Sequence, residues 1–126
     1  GGAASPSASR STAAPGSGPL TGSPAQAVAA YWTLVDAGDY QGLKAACSPG
    51  STAALTAATD DIERARLLRV ARVRRQPGGA QVEADVRIVP AGQTTPWGAP
   101  GAHTLFVNLA EAPSGGWLVT SWGTSP

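Results

Sequence analysis

The chain has 126 residues, a formal net charge of +1 and a single cysteine. Near-neutral charge excludes a global field that would steer the protein to nucleic acid or a bare membrane surface, and one cysteine excludes an internal disulfide or a cysteine-built metal cluster. No apolar run approaches the roughly 18 residues that a spanning helix needs, while a hydrophobic content of 42% suits a globular domain.

Residues 1–22 are Gly, Ala, Ser, Thr and Pro, interrupted only by Arg10 and Leu20. Such a stretch buries too little apolar surface to offset its ordering entropy and is expected to be a disordered tether. A folded domain is expected over residues 23–126, roughly 100 residues around one core. The chain starts with neither Met nor a signal-peptide core, which reads as a trimmed form whose targeting segment has been removed.

Ser23-Pro24 is a helix start, with a capping hydroxyl followed by proline at the first helical position. Val28, Tyr31, Trp32 and Val35 then recur at helical spacing through residues 25–37, with Asp36 off that stripe and read as solvated. Gly38 ends the helix, and Asp39 caps a second one over residues 40–47. Cys47, in an apolar helical context, reads as a buried and inert thiol. A third helix is expected from Thr52 to about Glu63, with Leu55, Ala58 and Ile62 on one side.

Beyond Arg64 the period becomes alternating. Residues 67–76 predict a strand whose parity slips between Leu68/Val70 and Ala71/Val73, the mark of a bulge. After the Pro77-Gly78-Gly79 turn, Val82, Ala84, Val86 and Ile88 alternate with Gln81, Glu83, Asp85 and Arg87, a half-buried antiparallel strand. A Pro/Gly connection over residues 90–101 carries Trp97, read as an exposed anchor. Residues 103–111 and 117–123 supply two more strands around a Pro113-Ser114-Gly115-Gly116 turn. Trp117 and Trp122 fall on opposite parities, so both face the core only if that last strand is bulged. Three helices followed by four strands predict an α+β fold, with helices packed on one face of a strongly curved antiparallel sheet.

The run from Val28 to Tyr40, an amphipathic helix ending in Ala37-Gly38-Asp39-Tyr40, resembles the opening of nuclear-transport-factor-2-like domains. The terminal Gly116-Trp117-Leu118-Val119-Thr120-Ser121-Trp122 resembles their closing hairpin. That group has a cystatin-like, cone-shaped α+β architecture. The resemblance implies a pocket between the first helix and the sheet. It also implies relatives that include ketosteroid-isomerase-like and polyketide-cyclase-like enzymes, many non-catalytic binding or accessory domains, and frequent homodimers. Richness in Ala, Gly, Arg and Pro, with one Lys and no Met, resembles exported proteins and lipoproteins of actinobacteria. The expected location is therefore extracytoplasmic, secreted or membrane-anchored, with the membrane reached only through the tether.

Enzymes of this group place a carboxylate or His base in the pocket, with a Tyr or second acid as donor. The candidates here are Asp85, His103 and Tyr31, and none forms an evident acid–base pair in the sequence. Trp32, Phe106, Asn108 and Trp122 are candidate ligand contacts. Arg69, Arg72, Arg74 and Trp97 are candidate partner contacts, the arginines otherwise being a solvated face partly neutralised by Asp60, Asp61 and Glu63. No metal-ligand spacing, phosphate loop or nucleophile elbow occurs, and no cofactor is implied. The expected role is a non-catalytic binding or accessory domain for a partner protein or an apolar small ligand. The alternatives are an isomerase- or cyclase-like enzyme using Asp85 or His103, and a structural dimerisation module.

Overall fold

The computed structural model describes residues 18–92 and 95–126; most of the expected tether lies outside them. Helix α1 (Pro24–Ala37) begins with a capping box in which Ser23 Oγ accepts from the Gln26 N–H and Gln26 Oε1 accepts from the Ser23 N–H. Gly38 ends it in the left-handed conformation at φ 65°. Helix α2 (Tyr40–Ala46) is capped by Asp39, whose carboxylate accepts from the Gly42 N–H at 2.9 Å. A single 3-10 turn (Pro49–Ser51) leads into α3 (Thr52–Asp60).

Four strands follow: β1 (Ile62–Gln76), β2 (Gly79–Pro90), β3 (Gly101–Glu111) and β4 (Trp117–Gly123). They form one antiparallel meander in the order β1-β2-β3-β4, and the sheet is not closed. Helix α1 lies against it, chiefly on β1. The core sits between them. Val82, Val86, Ile88, Leu105, Val107 and Val119 are fully buried on the helix-facing side against Val28, Tyr31 and Trp32. Full burial of one Val, Leu or Ile side chain contributes about 1.5–3 kcal/mol, so these residues dominate the stability.

Three boundaries differ from the sequence reading. Helix α3 stops at Asp60, and Ile62, placed on the helix by spacing, is the first residue of β1. A single apolar residue fits either period, and here pairing with Pro90 decides it. Helix α2 ends at Ala46, because Cys47 turns extended and bridges to Val119. Leu20, assigned to the tether by composition, is buried and exchanges two backbone hydrogen bonds with Trp117 at 2.9 and 2.7 Å. Gly116 makes that approach feasible. It has φ 83°, and a Cβ there would sit 2.6 Å from the Leu20 carbonyl oxygen.

The parity slip in β1 is real. Register shifts fall between Leu67 and Arg69 and between Val70 and Arg72. The extra residues Leu68 and Ala71 absorb the three-residue spacing of Arg66, Arg69 and Arg72. Each arginine then lies opposite a solvent-side residue of β2: Arg66 opposite Arg87, Arg69 opposite Asp85, Arg72 opposite Glu83 and Arg74 opposite Gln81.

Candidate functional site

Aromatic side chains gather at the helix-facing side of β3 and β4. A register shift after Asn108 sets Leu109 opposite Val119 and Asn108 opposite Ser121, so Thr120 is the extra residue. This bulge turns Trp122 inward on the same side as Trp117. The Trp122 indole N–H donates to the Tyr31 hydroxyl at 2.8 Å. Its ring lies 5.2 Å from Trp32 and 5.9 Å from Trp97, the latter pair stacked at 24°. Tyr31 and Trp32 meet edge to face at 5.1 Å. Burial holds the Tyr31 hydroxyl well above the usual tyrosine range, opposed in part by the hydrogen bond from Trp122.

His103 shares the inward parity of Leu105 and packs edge to face on Trp97 at 4.9 Å. Its Nε2 is buried without a protein hydrogen-bond partner, as are Trp32 Nε1 and Thr95 Oγ1. Trp97 is therefore half-buried over this cluster and is not the exposed anchor that its Pro/Gly loop suggested. The rings of His103 and Trp122 outcompete solvent for so large an apolar side chain.

The opposite face of the sheet is ionic and polar. Asp85 accepts from Arg69 Nε at 2.7 Å and from the Thr104 hydroxyl at 2.8 Å, and these two bonds, Arg69 first, hold its carboxyl below the usual range. Gln81 donates to Asn108 at 3.0 Å, and Asn108 donates on to Ser121 at 3.0 Å. Phe106 lies on this face, in a shallow depression with Arg72, Arg74, Glu83 and Pro126.

An open groove of about 700 Å³ follows the seam between α1 and β1. Ala29, Trp32, Ala65, Leu67 and Val89 give it apolar wall, and Asp36, Arg64, Arg66 and Arg87 give it charge. Asp36 is not simply solvated. It takes Arg64 Nε at 2.8 Å and the Ala65 backbone N–H at 3.0 Å, and so covers a free donor on the edge strand. The Arg64 guanidinium, then the Ala65 N–H, hold the Asp36 carboxyl low against the opposing effect of burial. The ion-pair partners of Arg64 and Arg69 are thus Asp36 and Asp85, distant in sequence, and not the neighbouring Asp60, Asp61 and Glu63.

Two solved structures are similar to this chain. One is a designed protein of the nuclear-transport-factor-2 type, 14% identical, covering 74% of this chain and 90% of its own, with a TM-score of 0.52. The fold is nuclear-transport-factor-2-like. The other is the solution structure of a SEC-C-motif-containing protein from Rhodopseudomonas palustris, 15% identical, covering 82% of this chain and 80% of its own, with a TM-score of 0.57. No protein-family model and no curated protein matches the chain.

On this fold the sequence-derived candidates separate into two groups. Tyr31, Trp32, Trp97, Trp122 and His103 come together inside. Asp85, Phe106, Asn108, Arg69, Arg72 and Arg74 lie on the solvent face. Phe106 and Asn108 therefore do not share a site with Trp32 and Trp122. Among the described residues no group of three or more His, Cys, Asp or Glu could hold a metal ion. Cys47 is buried, and burial pushes its thiol pKa up to about 11. The groove was missed by the sequence reading. Its signal was the triplet spacing of arginines, which makes sense only when the bulges are known.

Proposed function

We propose that this chain is a non-catalytic binding or accessory domain, exported or membrane-tethered, that holds a partner protein or an apolar small ligand. One observation carries the reading: the helix-facing side that holds His103 and Tyr31 is filled by aromatic rings, and Asp85 lies on the other face of the sheet. A proton-transfer site of this fold would need its base and its donor in one enclosed space with room beside them for a substrate. Here the interior beside α1 is occupied by the rings of Tyr31, Trp32, Trp97 and Trp122, while Asp85 is engaged by Arg69 and Thr104 outside. The leader composition supports an extracytoplasmic setting.

The isomerase- or cyclase-like reading draws on two features, the unpartnered Nε2 of His103 and the Tyr31 hydroxyl on the same side of the sheet. A dimerisation module would draw on an apolar sheet face, and this one sets the partly buried Phe106, Val89 and Leu118 among Arg69, Arg72, Arg74, Glu83 and Asp85. The discriminating assay follows isomerisation of a β,γ-unsaturated ketone by the full chain. The binding reading predicts no rate above buffer and no difference for His103→Ala. Turnover that is lost in His103→Ala would replace it with the enzyme reading.

A further inference from the structure

The groove between α1 and β1 carries two features that the fold alone does not require. The first is Arg66 directly opposite Arg87 on adjacent strands. Like charges in that position destabilise a sheet. Neither guanidinium has a carboxylate within ion-pair distance among the described residues, whereas Arg64 and Arg69 each have one. Two adjacent guanidinium groups offer several charge-assisted donors to one oxyanion, which also cancels their repulsion.

The second feature is Trp32. It is 1% exposed and lines the groove, and its indole N–H has no protein acceptor. A buried indole N–H ordinarily finds a partner, and leaving it unmatched costs stability. With Leu67 and Val89 the Trp32 ring gives the groove an apolar wall, which suits a ligand that is mostly apolar. A volume of about 700 Å³ falls within the usual range of small-molecule sites.

We propose that this groove binds an amphiphile with an oxyanion head: an apolar body lying along Trp32, Leu67 and Val89, and a carboxylate or phosphate taken by Arg66 and Arg87. This rests on the binding-domain reading and names its ligand class. The carboxylate and phosphate forms share the same recognition, and the choice between them is read from the probes.

The test titrates the full chain with dodecanoate and dodecyl phosphate below their micelle concentrations, and with dodecan-1-ol below its solubility limit, by calorimetry and by proton–nitrogen NMR. The Trp32 indole signal is assigned by its loss in Trp32→Phe. The expected result is saturable binding of at least one anion, at least tenfold tighter than dodecan-1-ol, with movement of the Trp32 signal. In Arg66→Gln/Arg87→Gln, whose replaced side chains are both exposed, the anion should weaken at least tenfold while spectral dispersion is kept. Absence of anion binding, equal affinity in the double variant, or a stationary Trp32 signal overturns the proposal. Dodecan-1-ol binding as tightly as the anions overturns the oxyanion class but leaves the binding-domain reading standing, and the ketone assay judges that reading separately.

Discussion

The indole N–H of Trp122 donates to the hydroxyl of Tyr31 at 2.8 Å, joining the last strand to the first helix across 91 positions of sequence. Both groups are removed from bulk water, so each supplies what the other would otherwise lack. Tyr31→Phe should leave the Trp122 donor unmatched and cost about 1–3 kcal/mol in chemical denaturation. The double variant Tyr31→Phe/Trp122→Phe should lose less than the sum of the single losses, because the second change removes the stranded donor. Strict additivity would mean the bond contributes nothing.

The same tyrosine sets an alkaline limit. Its folded-state pKa is raised by burial, so its contribution is full below the ordinary tyrosine value of 10.0 and is lost as pH rises beyond it. Asp36 acts in the opposite sense. Its carboxyl is held low by Arg64, so its contribution is present above the ordinary carboxylate value and is lost as pH falls through the lowered one. A stability profile against pH should therefore lose part of its alkaline limb in Tyr31→Phe and part of its acid limb in Asp36→Asn. The Asp36 effect should shrink in high salt, since the Arg64 side chain is 65% exposed.

The bulges in β1 predict an asymmetry between two deletions. Removing Ala71 leaves Val70 facing in and Arg72 facing out, because Ala71 is the extra residue between them. That variant should fold, with a native-like circular dichroism spectrum. Removing Ala84 from the regular strand β2 reverses the parity of everything on one side of it and drives charge into the core. That variant should not fold. Equal tolerance of both deletions would contradict the register.

Cys47 should be unreactive in the native protein. It is buried and its pKa is pushed up to about 11, so little thiolate forms at neutral pH. An aromatic disulfide reagent should label it slowly in buffer and at once in denaturant. Rapid labelling of the native chain would show that the Cys47–Val119 bridge opens freely.

How much of this was legible in the sequence depends on how local the deciding physics is. The caps at Ser23, Asp39 and Gly38 involve residues three or four positions apart, and they stand where the composition put them. The alternation of Val82, Ala84, Val86 and Ile88 defines the buried face of β2 by itself. Helices before strands then follow, and with them an α+β fold. What escaped was set by partners far along the chain. Asp36 looked solvated because Arg64 and the Ala65 N–H lie 28 and 29 positions away. Trp97 looked exposed because Trp122 and His103 reach it only in the folded sheet. Parity showed that one face of β3 carries Phe106 and Asn108. It did not show that this is the face turned away from α1.

Closure of the space beside α1 by aromatic rings is what separates a binding domain from an enzyme on this fold. The decisive measurement is a set of nuclear Overhauser contacts in the full chain, read from the indole rings of Trp97 and Trp122. The prediction is contact between those two rings, contact from Trp97 to the His103 ring, and protection of the Trp122 indole N–H against solvent exchange through its bond to Tyr31. A Trp97 ring with no contact to Trp122 or His103, together with fast exchange at Trp122, would mean an open and wet interior around His103. That result would contradict the non-catalytic reading at its base.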